Sequence, residues 1–206
     1  MFITFEGSEG AGKTTQINLL KEHFINKGLD VVTTRQPGGT ELGQNIRKLI
    51  LDPEQNDKPS PLAELFLYMA DRGHNVETII KPALEQGKIV ICDRYIDSTI
   101  AYQGFGRKID IQKLDLLNEV ATQGLKPEVT FVLDLPVEDG LKRVVKRDKK
   151  LDRIESEKME FHQKVREGFL YLAQKEPERV KVINAIDTPE KISSDIISHI
   201  ENLRRQ

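Results

Sequence analysis

Apolar residues follow two rhythms along this chain. Five short runs are almost continuously hydrophobic and rich in β-branched residues: Phe2 to Phe5, Val31 to Thr34, Ile89 to Cys92, Val129 to Leu133 and Val180 to Ile183. Unbroken runs of this kind predict strands covered on both faces of a sheet. Between them, apolar positions recur at helical spacing over Lys13 to Lys27, Leu42 to Leu51, Leu62 to Glu85, Ile111 to Gln123, Val137 to Lys146, Ser156 to Gln174 and Pro189 to Arg204. The third of these stretches is expected to break near Gly73. Gly28, Gly87 and Gly124 each follow a helical stretch, where C-terminal stops belong. Strands alternating with helices predict an α/β fold, a parallel five-stranded sheet with helices on both faces and right-handed crossovers. The polar, proline-rich stretch from Asp52 to Pro61 reads as an exposed loop. No repeat, low-complexity tract or linker interrupts the pattern, so residues 1–206 read as a single domain.

Ligands of such sheets bind beyond the carboxyl ends of the strands. The tips here are Glu6 to Thr14, Arg35 to Thr40, Asp93-Arg94-Tyr95, Asp134 and Asn184-Ala185. The first contains Gly7-Ser8-Glu9-Gly10-Ala11-Gly12-Lys13-Thr14, which fits G-x-x-x-x-G-K-[ST], the phosphate-binding P-loop, between a strand and a helix. Its glycines let the backbone wrap phosphate oxygens, and the free amides at the helix start point at the anion. Lys13 can reach the β- and γ-phosphates, and the Thr14 hydroxyl can hold Mg²⁺. The motif predicts binding of a nucleoside triphosphate. Asp93 closes the third apolar run in the Walker B arrangement, a carboxylate facing the P-loop and its Mg²⁺. Many strands also end in Asp for no such reason. Arg35 ends the second strand and is braced by Pro37-Gly38-Gly39. Its planar fork suits bidentate phosphate binding, while the plainer alternative is a turn with a stray charge. The run from Arg143 to Glu155 is dense in both signs of charge. It reads either as a solvated helix end or, near a triphosphate, as a cationic lid over about residues 143–155.

Composition narrows the function further. With 31 basic and 33 acidic residues, the net charge of −2 gives no support to nucleic-acid binding. No run of 18 apolar residues and no secretory leader pattern is present, so no membrane role and a cytoplasmic location are expected. The single cysteine, Cys92, lies within a strand pattern and reads as a core residue. His23, His74, His162 and His199 lack ligand spacing and read as surface or helix positions. A switch GTPase would carry D-x-x-G, yet no Asp here has Gly three residues later. A motor or transporter ATPase would be larger. A small P-loop chain with an arginine-lined second site points to phosphoryl transfer onto a small phosphorylated acceptor.

Four blocks in order sharpen that reading: Phe5-Glu6-Gly7-x-Glu9-Gly10-x-Gly12-Lys13-Thr14-Thr15, Thr34-Arg35-x-Pro37-Gly38-Gly39-Thr40, Asp93-Arg94-Tyr95-x-x-Ser98-Thr99-x-Ala101-Tyr102-Gln103-Gly104, and Leu151-Asp152-Arg153-Ile154-Glu155. From Phe2 to about Asp187 the chain resembles the bacterial thymidylate kinase family. The resemblance implies ATP + dTMP → ADP + dTDP with Mg²⁺, in a homodimer with a nucleoside monophosphate kinase-like fold. It implies that Gly7 to Thr15 hold the donor phosphates and that Thr14 and Asp93 hold the metal. Arg35 and Arg94 would grip the acceptor phosphate, Arg47 would be a further contact, and Lys13 would join Arg35 and Arg94 in balancing the charge during transfer. Glu9 would meet the sugar 3′-hydroxyl, and Tyr102 would crowd the 2′ position. Tyr68 would stack on the base where the family usually has phenylalanine. Arg72 would bond a thymine carbonyl, and Thr99 and Gln103 would address the ring's polar edge. The P-loop has Gly10 where some relatives carry arginine, so the missing cation would come from the lid, with Arg147 the expected residue. The alternatives are a kinase for another nucleoside monophosphate and a non-catalytic ATP-binding switch.

Overall fold

A computed structural model describes residues 1–146 and 150–203. All five expected strands form: β1 (Phe2–Glu6), β2 (Val31–Arg35), β3 (Ile89–Asp93), β4 (Val129–Asp134) and β5 (Val180–Asn184). They pair in parallel in the order β2-β3-β1-β4-β5. Each strand runs one residue past its apolar run, so the added tips are Glu6, Arg35, Asp93, Asp134 and Asn184. Every tip is polar, at the carboxyl end of the sheet, where ligands of such folds bind. Glu6 and Asp93 lie on adjacent strands, with Phe5 paired to Asp93.

The helices are α1 (Lys13–Asn26), α2 (Glu41–Leu51), α3 (Pro61–Asn75), α4 (Lys81–Glu85), α5 (Ile96–Thr99), α6 (Ile111–Thr122), α7 (Val137–Val145), α8 (Met159–Lys175) and α9 (Pro189–Leu203). The core closes on both faces of the sheet. Ile17, Leu20 and Phe24 of α1 and Ile192, Ile196 and Ile200 of α9 bury against Ile3, Phe5, Phe131 and Leu133. On the other face Phe2, Val90 and Cys92 meet Val76, Ile80 and Tyr95, and Val132 meets Phe161, Val165 and Phe169 of α8. Cys92 is fully buried, as its strand pattern implies. The edge strands β2 and β5 depart from two-sided burial: Thr33 and Arg35 are exposed, as is Val182. An edge strand has a neighbour on one side only, so fewer helices reach across it.

Two helical regions differ from the sequence pattern. The stretch from Leu62 does not break at Gly73. It starts at Pro61 with the Ser60 hydroxyl accepting the Ala63 amide and runs to Asn75. Packing of α3 against α6 holds Gly73 in the helix despite its low propensity. The irregularity comes later, as a π-helical turn over Val76–Ile80 just before Pro82, whose ring cannot enter an α-helical ladder undisturbed. A second π-helical turn, Ile100–Gly106, continues α5 and has no apolar period from which to foresee it. Such turns recur at functional sites, and this one carries Tyr102 and Gln103. The last helix is described to Leu203, so its expected end at Arg204 falls outside the described residues. His162 is buried on α8, deeper than its sequence context suggests. Among the described residues, no helix is long and apolar enough to cross a membrane.

Candidate active site

The P-loop spans β1 to α1. Gly12 caps α1 in the left-handed region (φ 92°), and no side chain caps the first amides of the helix. Those N–H groups are thus available to an anion. Lys13 curls back over the loop, and its Nζ donates to the carbonyls of Gly7 (3.0 Å) and Ser8 (3.1 Å). Burial lowers the pKa of its ammonium, as does nearby Arg94, against the opposing pull of Glu9, Asp93 and Glu6. Gly10 has φ 74° and lies against α7, where a Cβ would overlap the Gly140 carbonyl. No side chain fits there without moving α7. The absence of an arginine at Gly10 is therefore built into the packing.

At the tip of β3, Arg94 occupies the left-handed region (φ 68°). Its Nη2 donates to Glu9 Oε1 (2.5 Å), and its Nη1 to the Gly7 carbonyl (3.1 Å) and Ser98 Oγ (3.3 Å). The Tyr102 hydroxyl donates to the same Glu9 oxygen (2.8 Å), and the Arg94 guanidinium lies 5.0 Å from the Tyr102 ring centre. Burial alone would push the Glu9 carboxyl up. Arg94, then Lys13 and the Tyr102 hydroxyl, outweigh burial and hold it down at about 2. Beneath this turn, Glu6 accepts from the Tyr95 amide (2.7 Å), the Ser98 amide (3.2 Å) and the Ser98 hydroxyl (2.5 Å). Burial, then the Asp97 charge, raises the Glu6 carboxyl to about 7.

Asp93 Oδ1 is buried and has no hydrogen-bond partner among the described residues. A bare buried carboxylate oxygen is costly unless something completes it. With the Thr14 hydroxyl on the same cavity, the pair offers the hard oxygen donors that Mg²⁺ takes, few from protein and the rest from phosphate and water.

A cavity of about 260 Å³ unites most of the expected positions: Glu9 to Thr15, Arg35, Arg47, Tyr68, Arg72, Asp93, Arg94, Thr99, Tyr102 and Gln103 all line it. Gly7 and Ser8 form the floor of the loop instead and offer their carbonyls to Lys13. Arg147 lies outside the described residues. Arg35 is exposed, with its Nε donating to the Gly38 carbonyl (3.3 Å), and Arg47 Nη1 donates to the Pro37 carbonyl (3.1 Å). Both guanidiniums thus stand beside the turn at the end of β2. The wall farther from the P-loop is more tightly bonded. Arg72 donates to Gln36 Oε1 (2.9 Å), Thr99 Oγ1 (2.5 Å), Asn118 Oδ1 (2.7 Å) and the Tyr95 carbonyl (2.9 Å). Gln103 Nε2 donates to Glu64 Oε1 (2.9 Å). Of the described residues in the stretch expected as a lid, Lys150 pairs with Glu54 and Arg153 with Glu64, while Asp152, Ile154 and Glu155 line the cavity.

The sequence reading missed several members of this assembly. Asp71 Oδ1 accepts the Gly38 amide (3.0 Å) and so fixes the turn beside Arg35. Gln36 and Asn118 position Arg72, and Glu64 ties Gln103 to Arg107 and Arg153. One signal was there to be read: Glu64, Tyr68 and Arg72 recur every fourth residue, which puts them on one face of α3.

Comparison with known proteins agrees with this geometry. The thymidylate kinase family model matches residues 5–196. The chain is 48% identical over 209 residues to the thymidylate kinase of Desulfosudis oleivorans, covering 98% of this chain and 97% of that one. It is 49% identical over 201 residues to that of Synechococcus sp. strain JA-2-3B'a(2-13), at 98% and 94% coverage. The crystal structure of thymidylate kinase from Ehrlichia chaffeensis superposes with a TM-score of 0.79 at 38% identity, over 98% of both chains.

Proposed function

We propose, for a chain that belongs to the thymidylate kinase family and so converts dTMP to dTDP with a nucleotide donor, that the donor is ATP with Mg²⁺ and that the cavity above is where both substrates meet. The observation that carries the site assignment is the union, in one cavity, of the P-loop, an unpartnered Asp93 oxygen and the Arg35, Arg94 and Arg72 side chains. The donor phosphates lie on Gly7 to Thr15. Thr14 and Asp93 hold Mg²⁺, which when bound offsets negative charge between donor and acceptor. The acceptor phosphate lies between Arg35, Arg94 and Arg47, with its base toward Tyr68, Arg72, Thr99 and Gln103.

The chemistry needs little beyond alignment and charge. A phosphate monoester has a second pKa near 6 and is mostly dianionic at pH 7, so it is already a nucleophile and requires no general base. The difficulty is repulsion between two polyanions, which Lys13, Arg35 and Arg94 reduce while fixing the line of attack. Lys13 leaves its two loop carbonyls for the donor phosphates. Glu9, ionised and doubly bonded, accepts from the sugar 3′-hydroxyl, and the Tyr102 ring crowds the 2′ position. The residues over about 143–155 act as the lid, with Arg147 supplying transition-state charge.

The same reading covers assembly and location. Leu62 and Phe66 of α3 and Leu116 and Val120 of α6 are exposed at 57, 52, 62 and 69%, on two helices that pack side by side. Exposed apolar side chains on two neighbouring helices suit a homodimer in which a second copy covers them. Light scattering is expected to give twice the chain mass, and Phe66→Asp to give the monomer. A single-domain, cytoplasmic enzyme acting on small nucleotides completes the proposal.

A coupled ADP-release assay over a panel of monophosphates tests the site. We expect dTMP to be the best substrate, dUMP to be weaker by the 1–3 kcal/mol of about one methyl group, and dCMP, dAMP and dGMP to be poor. Equal rates with dTMP and dCMP would sink the assignment of Arg72, Thr99 and Gln103 to the base.

A further inference from the structure

We infer that Glu64 is a positioning residue for base selection: it fixes the polarity of the Gln103 amide, so that the cavity offers an acceptor to ring position N3 and the enzyme rejects cytosine. The inference rests on the placement of the base beside Gln103 proposed above.

A glutamine amide has one donating end and one accepting end, and either can face a ligand. Here the choice is already made. Gln103 is buried, and its Nε2 donates to Glu64 Oε1 (2.9 Å). An ionised carboxylate has only acceptor sites, so the nitrogen and not the oxygen must face it. Two guanidiniums keep that carboxylate company: Arg107 Nη2 at 3.3 Å from Oε2, and Arg153 Nη2 on the same oxygen. Glu64 is 1% exposed, so water does not compete for it. No group among the described residues donates to Gln103 Oε1, and Gln103 lines the cavity. The oxygen is therefore the end offered to a ligand.

Ring chemistry does the rest. N3 of thymine and uracil carries a hydrogen, whereas N3 of cytosine carries a lone pair. An acceptor at Gln103 Oε1 bonds the first and repels the second. A glutamine at position 64 would lose this control, because its own amide could donate to Gln103 Oε1 and let the neighbour turn over. The charge at position 64, not its size, sets the selection.

The test is kcat/KM for dTMP, dUMP and dCMP in the full-length enzyme and in Glu64→Gln, Gln103→Leu and the double variant. Glu64→Gln is expected to lower the dTMP/dCMP ratio by roughly 10- to 100-fold, a range bounded by what a mismatched polar group costs a binding site. The dTMP/dUMP ratio should stay within about two-fold, since both rings carry the N3 hydrogen. Adding Glu64→Gln to Gln103→Leu should change neither ratio further. If Glu64→Gln slows all three substrates alike, Glu64 is structural only and the inference falls. If Gln103→Leu itself leaves dTMP/dCMP unchanged, the placement of the base is wrong and the inference falls with it. Should Glu64→Gln not fold, a neutron structure of the unmodified enzyme with dTMP decides: it must show the Gln103 nitrogen on Glu64 and its oxygen on N3, and the reverse arrangement overturns the inference.

Discussion

The two ends of the cavity are built on opposite terms. At the end toward Arg72, polar groups are paired before any ligand arrives. Arg72 is 2% exposed and engages four oxygen acceptors, and Gln103 has its donor committed to Glu64. At the P-loop end, groups are left short. Among the described residues Asp93 Oδ1 has no partner and the α1 amides have no side-chain cap, while Lys13 rests on carbonyls of its own loop and Arg35 is exposed. The physical reason lies in what each end would receive under the proposed function. A neutral base brings few hydrogen bonds and no charge, so its wall must be satisfied internally to be buried at all. A polyphosphate brings many acceptors and strong charge, so its cradle can stay unfinished until it arrives. Selectivity for the base thus belongs to the folded state, while phosphate affinity is completed on binding. Substitutions at the base end should cost stability as well as activity; those at the phosphate end should cost activity alone.

The largest effect on activity is expected from the lid. Under the proposed role, Arg147→Ala should lower kcat by roughly 10²–10⁴, at or below the range for arginine fingers, with the dTMP KM within a few-fold, as for a contact made mainly in the transition state. Its Tm should not move. Three of the described cations nearby have other partners: Arg143 donates to the Ala185 carbonyl, Lys150 pairs with Glu54, and Arg153 pairs with Glu64. Gly10 has no room for a side chain. Steady-state kinetics on Arg147→Ala beside Lys149→Ala and Arg153→Ala would settle the matter. An unchanged kcat in the first with a collapse in another moves the role to that residue.

Arg72→Ala probes the opposite end. It strips four acceptors of their donor in a sealed site, which we expect to cost about 3–5 kcal/mol of stability and to lower Tm by roughly 10 °C in a domain of this size. It should also cut activity on dTMP. Differential scanning calorimetry reads the first effect. A Tm within a degree or two of the parent would break the contrast between the two ends.

Arg35→Ala completes the test at the phosphate end. The dTMP KM should rise by about 10²-fold through loss of a charge-assisted, bidentate contact. Stability should stay within about 0.5 kcal/mol, as for exposed positions, since among the described residues its side chain bonds only the Gly38 carbonyl. If donor affinity falls instead and dTMP binding survives, the two phosphate sites have been exchanged.

The contrast also explains what could be read from the chain. The phosphate end is local in sequence: a loop of consecutive residues and three strand tips, each announced by an apolar run that stops. Gly7 to Thr15, Arg35, Asp93 and Arg94 were legible for that reason, as were all five strands. The base wall is made of distant pairs. Gln103 meets Glu64 across 39 positions, and Arg72 meets Asn118 across 46. In its own helix Asn118 is one polar residue among several, indistinguishable from surface positions, and Glu64 is marked only by sharing a face of α3 with Tyr68 and Arg72. The π-helical turn at Ile100–Gly106 was hidden too, because its wider winding breaks the 3.6-residue period that reveals a helix. Tyr102 and Gln103 were found through family resemblance, and nothing in the apolar pattern marks them.

The smallest expected effect concerns Glu6, at the boundary between the two ends, whose three accepted bonds hold the Arg94 turn. Burial and the Asp97 charge raise its carboxyl from 4.5 to about 7 in the folded protein. A folded-state pKa above the unfolded one means that the native state holds the proton more tightly. The stability it contributes is therefore fully present below about pH 4.5 and is lost as pH rises through 7. Between pH 5 and pH 8 the parent should lose about 1–3 kcal/mol relative to Glu6→Gln, the upper figure following from a shift of that size. Glu9 has the opposite sign: held down at about 2 by Arg94 and Lys13 against burial, it contributes above pH 4.5 and loses that contribution only as pH falls through 2. The two carboxylates therefore act in separate pH windows and do not mask each other. Urea denaturation of the parent and of Glu6→Gln at pH 5.5 and 8 isolates the effect. A constant offset between the two proteins reflects hydrogen bonds lost or kept, and only a change in that offset with pH reports the buried charge. Parallel stability curves over this range would mean that Glu6 is ionised throughout, and that the turn carrying Arg94 rests on a permanent charge.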